Sequence, residues 1–226
     1  MNVLVVAAHP DDEVLGCGGT IARLAQEAHV VHVAILGEGI TSRARSREDA
    51  PRDEVDALRA RAREVGRSLG AASVETFGLP DNRFDELPLL EIVKLLEDLL
   101  ARHRPAEVFT QHGGDLNIDH QRTFQATLTA CRPLPVLPVE RLYAYEVPSS
   151  TDWAFRRFAP PFTPNTYRDV SSTLQQKLEA MDAYETERRP FPHPRSRRAL
   201  EATALRWGSV IGVEAAEAFE LVWERR

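Results

Sequence analysis

A purely apolar run, residues 3–8, ends abruptly in the sequence His-Pro-Asp-Asp-Glu at residues 9–13. This pattern predicts a buried strand that delivers an imidazole and three carboxylates to its carboxyl end. Glycines at positions 16, 18 and 19 come next, followed by an amphipathic stretch at 21–28, which together predict a tight turn and then a helix. In an open α/β sheet, ligands bind at the carboxyl ends of the strands. The start of the chain therefore predicts an α/β fold with its site at this edge.

Short apolar runs alternate with segments of helical periodicity through the first two thirds of the chain, which is typical of βαβ units and a parallel sheet. We therefore expect a Rossmann-like, mostly parallel sheet flanked by helices. Prolines crowd the chain after residue 131, so the regular α/β unit should end there and a smaller C-terminal subregion, 132–226, should close the site of a single domain. The further strands are expected at 29–36, 74–77, 107–111, 141–147 and 219–223.

Composition excludes several functional classes. The formal net charge is -6, and a nucleic-acid-binding protein would instead need a basic face, so we expect no nucleic-acid partner. The first apolar run is only six residues long and no later run approaches the roughly 20 residues that span a membrane, so we expect no membrane insertion and a cytoplasmic location.

Two cysteines, Cys17 and Cys131, are expected to be buried thiols, and a homo-oligomer is possible.

Two clusters of polar residues fall at predicted strand ends. His9 and Asp12 follow the first strand, and His120 lies beyond the strand at 107–111. Two imidazoles and a carboxylate suit a catalytic zinc ion (Zn²⁺), which takes three protein ligands and keeps one position open. Such an ion lowers the pKa of a bound water molecule towards about 7, and a second carboxylate must then accept a proton. Asp11, adjacent to the ligand Asp12, is the natural general base.

Other interpretations of the same residues must be weighed. His-Pro followed by acids could be only a turn and a helix N-terminus, and Asp115 and Asp119, taken singly, are expected to be helix caps. A metal-dependent phosphoesterase is a second enzymatic possibility, although such enzymes commonly use two metals and more ligands. A non-catalytic, Rossmann-like nucleotide-binding module is a third, but the glycines at 16, 18 and 19 do not give the G-x-G-x-x-G spacing.

The motif Ala-His-Pro-Asp-Asp-Glu at residues 8–13, followed by Asp119 and His120, resembles the PIG-L/LmbE-like family of zinc-dependent N-acetylglucosaminyl deacetylases. The resemblance extends to the Pro-Asp-Asn-Arg turn at 80–83 and to residues 215–221. It implies removal of the acetyl group from an N-acetylglucosamine-type sugar conjugate, a small-molecule partner, with release of acetate and a primary amine. It also implies that His9, Asp12 and His120 bind zinc and that Asp11 is the base.

One position departs from the family pattern. Better-known members carry a second histidine three residues before the last ligand, and here that position is Asn117. Its amide can donate a hydrogen bond to a developing oxyanion, so we expect a catalytic role, but it cannot deliver a proton to the leaving amine. That proton would come from Asp11, or from another group such as His112, Asp115 or His193.

Substrate-binding residues are expected in the loops at the same edge. Arg43 lies in the polar stretch after the second strand, and Asn82, beside Arg83, lies in the turn after the third. Both loops could hold sugar hydroxyls or a phosphate. His193 lies in the sequence Pro-Phe-Pro-His-Pro, which rigidly fixes whatever side chain it presents, and it is the third candidate.

Overall fold

Seven strands form one sheet in the computed structural model, which describes residues 1–158 and 160–225. Their order is β3-β2-β1-β4-β5-β7-β6, and all neighbouring pairs among the first five strands are parallel. The last two strands are antiparallel to their neighbours. The predicted α/β class with a mostly parallel sheet is confirmed. The strands are β1 (Asn2–Ala7), β2 (Val30–Gly37), β3 (Ser73–Leu79), β4 (Glu107–Gln111), β5 (Arg141–Tyr145), β6 (Thr166–Asp169) and β7 (Ala216–Glu224).

Helices cover both faces of the sheet because successive side chains of a strand point to opposite sides. Alternate residues of β1, beginning with Val3, pack in one apolar cluster with residues of the first, second and sixth helices. The intervening residues, beginning with Leu4, pack in a second cluster with the third and fourth helices. The helices are α1 (Asp12–Gln26), α2 (Arg52–Ser68), α3 (Leu89–His103), α4 (Ile118–Ala130), α5 (Ser150–Trp153), α6 (Leu174–Ala183) and α7 (Arg197–Ile211).

Helix α1 begins directly at Asp12, so the prediction of a glycine turn before a helix at 21–28 is wrong. The glycines serve close packing instead. A Cβ atom on Gly16 would lie 2.0 Å from a ring carbon of Tyr145 on β5, so only glycine fits at this position. The helix is kinked at Cys17, whose φ of -141° is not helical.

At the kink in α1, two backbone N–H groups donate hydrogen bonds outside the helix, to a side chain of β7. The carboxylate of Glu217, on β7, accepts hydrogen bonds from the backbone N–H of Gly19 at 3.0 Å and of Thr20 at 2.7 Å. Lys177, on α6, donates to the same carboxylate at 2.6 Å and to the backbone oxygen of Leu15 at 2.9 Å. This buried ion pair fixes α1 against β7 and α6.

The region after residue 131 continues the same sheet through β5, β7 and β6. Strand β6 was not expected, since it is short, half-buried and flanked by the proline-rich stretch. Both cysteines are buried free thiols, as predicted. Within the described ranges, no helix is long and apolar enough to cross a membrane. The cytoplasmic location, the division at residue 131 and a homo-oligomer stay predictions.

Lys177→Met should lower the free energy of unfolding by about 3–5 kcal/mol, because it leaves the carboxylate of Glu217 buried without its cation. The double variant Lys177→Met/Glu217→Gln should be less destabilised, since no unpaired charge remains. Urea unfolding followed by circular dichroism measures both. Lys94→Met, at an exposed ion pair with Glu97, is the control and should change stability by less than about 0.5 kcal/mol. Equal effects of Lys177→Met and Lys94→Met would contradict this account.

Candidate metal centre and active site

The site lies where the strand order reverses. Strand β1 pairs on one side with β2 and on the other with β4, so the segments that leave β1 and β4 meet at the carboxyl edge of the sheet. The first segment carries residues 9–13 into α1, and the second runs through residues 112–117 into α4. Asp11 is the N-cap residue of α1 and adopts a left-handed conformation, with φ 109°. This tight turn points consecutive acidic side chains in different directions.

Two imidazoles and one carboxylate converge in this region. Oδ2 of Asp12 lies 3.4 Å from Nδ1 of His9 and 3.3 Å from Nε2 of His120. Ligand atoms of the three residues lie within 4.8 Å of one another, and the group is one of two that could hold a metal ion among the described residues. The structure thus brings together His9, Asp12 and His120, which the sequence analysis expected to be ligands.

The hydrogen bonds of Asp12 fit a cation ligand. Its Oδ2 accepts from the backbone N–H of His9 at 2.8 Å and from Nε2 of Gln111 at 3.0 Å. Its Oδ1 is buried and has no hydrogen-bond partner among the described residues. Buried carboxylate oxygens are normally satisfied, so this oxygen is suited to a cation. The donor set of two imidazole nitrogens and a carboxylate is also that of a metal site with an open position.

Two buried aspartates orient the imidazole rings. Oδ2 of Asp115 lies 2.6 Å from Nδ1 of His120, and Oδ2 of Asp119 lies 2.8 Å from Nε2 of His9. An ionised carboxylate only accepts, so in each neutral ring the other nitrogen keeps its lone pair, and that nitrogen faces Asp12. The expectation that Asp115 and Asp119 are helix caps is wrong, because Asn117 caps α4.

The second group that could hold a metal shares His9 with the first and adds Asp81 and Asp119. Its carboxylates already accept backbone hydrogen bonds. Asp119 accepts from the N–H of Asn82 at 2.6 Å and of Phe84 at 2.9 Å, and Asp81 accepts from the N–H of Ser42 at 3.0 Å. We therefore assign this group to positioning the ring of His9.

The charged groups of the cluster shift one another's pKa values. Burial disfavours the protonated ring, but Asp12 and Asp115 outweigh it and raise the pKa of His120 to about 9. The pKa of His9 is also raised against the effect of burial, by hydrogen bonds to Asp119 and Asp12. Burial acts to raise the pKa of Asp12, but the two imidazoles hold it well below its usual range. A cation bound here would replace the protons that otherwise stabilise this carboxylate.

Asp11 lies beside the ligand cluster with a different partner. It is only 2% exposed, and its Oδ2 accepts a hydrogen bond from Nη1 of Arg195 at 2.8 Å. Burial raises the pKa of Asp11 well above its usual range, against the opposing effect of Arg195. Glu13 is buried as well, and burial raises its pKa to about 7 although Tyr184 donates to it at 2.6 Å.

A polar cavity of about 150 Å³ opens onto Asp11 and the cluster. Arg43 lines it and is half exposed, and one of its nitrogens lies 2.6 Å from the buried carboxylate of Glu187. Asn82 and Asn117 also line it, with Nδ2 of Asn117 donating to Oδ1 of Asn82 at 3.0 Å. The lining residues are His9, Pro10, Asp11, Asp12, Gly39, Ile40, Ser42, Arg43, Leu58, Asp81, Asn82, Asn117, Glu187 and Arg195.

Three other candidates lie elsewhere. His193 is not among the lining residues, and its Nδ1 accepts a hydrogen bond from the backbone N–H of Arg195 at 3.0 Å. His112 lies between Glu220 and the backbone oxygen of Pro160, both 2.9 Å from its ring nitrogens. Arg83 is half exposed and pairs with Glu86. A substrate-binding role for His193 stays a prediction.

Sequence reasoning missed two charged residues of the cavity wall, Glu187 and Arg195. Both belong to the proline-rich segment between α6 and α7, where no periodicity or motif spacing indicates which side chains turn inward. The only available signal was the density of prolines around His193, which predicts a rigid segment but not its contacts.

The fold and the site together define the class of protein: an α/β protein with a cluster of side chains that could hold a metal ion at the carboxyl edge of its sheet. The chain belongs to the PIG-L family, since the family model described as GlcNAc-PI de-N-acetylase matches residues 4–131, more than half of the chain. Family membership places the protein among the hydrolytic N-deacetylases.

Individual relatives share sequence or fold with this chain. The protein described as uncharacterized deacetylase YaiS, from Escherichia coli strain K12, is 29% identical over 154 residues, which cover 66% of this chain and 75% of YaiS. N,N'-diacetylchitobiose deacetylase from Pyrococcus horikoshii superposes with a TM-score of 0.77 at 22% identity, over 98% of this chain and 83% of that one. GalB, the 4-carboxy-2-hydroxymuconate hydratase of Pseudomonas putida KT2440, superposes with a TM-score of 0.76 at 22% identity, over 100% of this chain and 97% of that one. At such identities these structures show the fold alone.

With added Zn²⁺ as the probe ion, Asp115→Asn should weaken metal binding by about 10- to 100-fold, because the ring of His120 loses the carboxylate that fixes its orientation and basicity. Competition with a chromogenic chelator measures the affinity. Asp98→Asn, at an exposed position on α3, is the matched control and should bind zinc like the native chain. Equal affinities of the Asp115→Asn and Asp98→Asn variants would remove Asp115 from the metal centre.

Proposed function

We propose that the protein is a zinc-dependent N-deacetylase that removes the acetyl group from an N-acetylglucosamine-type sugar conjugate and releases acetate and a primary amine. One observation carries the proposal: a buried His-Asp-His cluster with an unsatisfied oxygen on Asp12 lies beside a separate carboxylate, Asp11, at the floor of a polar cavity. The family assignment selects amide hydrolysis among the reactions that such a site can support.

Zinc is the metal that the donor set favours, since two imidazoles with one carboxylate is a common ligand set of catalytic zinc. His9, Asp12 and His120 would hold the ion. When bound, zinc supplies Lewis acidity towards the amide carbonyl and makes water a better nucleophile near neutral pH. The buried aspartates behind both imidazoles support this assignment, because ligating histidines nearly always donate their other N–H to such a group.

Asp11 is the proposed general base. It takes a proton from the attacking water as the tetrahedral intermediate forms, and its raised pKa makes it a stronger base than an ordinary aspartate. When the C–N bond breaks, the leaving nitrogen must gain a proton to depart as an amine. The contacts favour Asp11 as the donor of that proton too, because His112 and Asp115 are both bound to other partners and His193 is outside the cavity lining.

Asn117 is proposed to stabilise the oxyanion. Its Oδ1 accepts from the backbone N–H of Asp119 at 2.8 Å, and one Nδ2 hydrogen donates to Asn82. A primary amide has two N–H donors, and the second, which has no partner among the described residues, can face the developing negative charge. The cap on α4 and the contact with Asn82 fix the amide before substrate binds, which is the condition for effective electrostatic stabilisation.

An uncharged sugar fits the lining better than a phosphate ester. Both arginines of the cavity already pair with carboxylates, Arg43 with Glu187 and Arg195 with Asp11, so their charges are neutralised. Hydroxyl groups can instead exchange hydrogen bonds with Arg43, Asn82 and the carboxylates around them. The phosphoesterase alternative is further disfavoured because the two candidate metal groups share His9. The diacetylchitobiose deacetylase among the structural relatives supports an N-acetyl sugar as substrate.

Asp11→Asn should keep about one zinc per chain and lose about 10²- to 10⁴-fold in turnover, because the base acts on water without being a ligand. Metal analysis gives the zinc content. Amine release from a panel of free, lipid-linked, thiol-linked and nucleotide-linked N-acetylglucosamine gives the rate and identifies the carrier. Loss of zinc with activity would show that Asp11, not Asp12, is the ligand, and a zinc-loaded native chain inactive on the whole panel would refute the substrate class.

Asn117→Ser should lower turnover by about 10²-fold or more with little change in KM, because serine keeps the cap on α4 but lacks the amide donor. Steady-state kinetics on the best substrate of the panel measures both parameters. Asn117→Asp provides a second variant that caps the helix and removes the donor. Native turnover in both variants would exclude Asn117 from the mechanism.

A further inference from the structure

Arg195 connects the C-terminal part of the chain to the proposed base. It lies just before α7, and its guanidinium is mostly buried in the cavity wall, with 20% of the side chain exposed. Its Nη1 donates to Oδ2 of Asp11 at 2.8 Å. No periodicity or motif predicted this contact, which joins residues 184 positions apart.

Besides Asp11, the guanidinium of Arg195 contacts two further acceptors. Its Nε donates to Oγ of Ser149 at 3.1 Å and to the backbone oxygen of Pro148 at 3.3 Å. The backbone N–H of Arg195 donates to Nδ1 of His193, and the following residue, Ser196, caps α7. The backbone and the side chain of Arg195 are therefore both held in place by contacts other than the one with Asp11.

Asp11 itself depends on its surroundings for its conformation. Its φ of 109° is in the left-handed region, which a non-glycine residue adopts only when its neighbours hold it there. The backbone N–H of Asp11 donates to Oε2 of Glu13 at 3.1 Å, but that bond does not determine where the carboxylate points. Among the described residues, Arg195 is the one that donates a hydrogen bond to this carboxylate.

We propose that Arg195 is a positioning residue for deacetylation: it holds the carboxylate of Asp11 in the one orientation from which it can exchange protons with water and the leaving nitrogen. This inference rests on the proposed function, in which Asp11 is the base. Only arginine can reach Asp11, Ser149 and Pro148 at once, because its planar guanidinium presents several donors in fixed directions, whereas lysine presents a single charged point.

A purely structural role would have different consequences. Arg197, two residues away on α7, pairs with Asp182 and donates to Gln175, and so ties the same segment to α6 without approaching the base. If Arg195 only anchored the segment, removing either arginine would loosen it in the same way. If Arg195 positions Asp11, only the removal of Arg195 changes the orientation of the Asp11 carboxylate and the rate of deacetylation.

The first test is structural and does not depend on finding a substrate. Crystal structures of the native chain, Arg195→Ala and Arg197→Ala should show one conformer of the Asp11 side chain in the native protein and in Arg197→Ala. In Arg195→Ala the carboxylate should occupy a second rotamer or rotate away from the position it has in the native protein. A single, unmoved Asp11 conformer in Arg195→Ala would overturn the proposal.

The second test is kinetic. In zinc-loaded Arg195→Ala, kcat should fall by about 10²-fold, with KM and zinc content close to native, because a displaced base costs rate and not binding. Millimolar guanidinium should restore part of kcat, Arg195→Lys should recover less than full activity, and Arg197→Ala should match the native chain.

The double variant Asp11→Asn/Arg195→Ala separates this proposal from the proposed function. It should be no slower than Asp11→Asn alone, since Arg195 acts only through Asp11. Additive losses, or native kcat in both Arg195→Ala and Arg195→Lys, would overturn the positioning role. Native activity of Asp11→Asn would instead refute the proposed base.

Discussion

The parallel pairing of β1 with β4 is the contact on which the site depends. Val3, Leu4 and Val5 lie in register with residues 107–109, so the two strands end at the same edge of the sheet and their following segments meet. His9 and Asp12 come from one segment and His120 from the other, more than a hundred residues later. Neither segment holds a ligand set alone. The apolar side chains that bury β1 on both faces therefore also hold the cluster together.

Carboxylates around this cluster divide into groups with separate physical roles, although they lie close together. Asp12 is held ionised by two imidazoles, while Asp115 and Asp119 fix the direction of those rings. Asp11 has no imidazole partner among the described residues, and burial raises its pKa although the guanidinium of Arg195 opposes this shift. Environment, and not residue type, separates a ligand from a base when two aspartates are adjacent in sequence.

Much of the fold and part of the site could be predicted from local pattern. Alternation of apolar runs and helical segments gave the parallel sheet, and the polar residues that end β1 indicated its functional edge. The glycines at 16, 18 and 19 led to the wrong prediction of a turn, because close helix packing and a turn both favour glycine. Arg195 and the roles of Asp115 and Asp119 were beyond prediction, since each is defined by a partner that only the tertiary fold brings near.

The bond between Glu217 and the kinked first helix bears on how the protein is made. Helix α1 is synthesised before β7, yet the acceptor for the N–H groups of Gly19 and Thr20 comes from β7. Lys177, which neutralises that acceptor, and Arg195, which meets Asp11, also belong to the last quarter of the chain. A nascent chain that ends before β7 lacks all the contacts of Glu217, so the turn that carries His9, Asp11 and Asp12 gains its full support only after β7 has been synthesised.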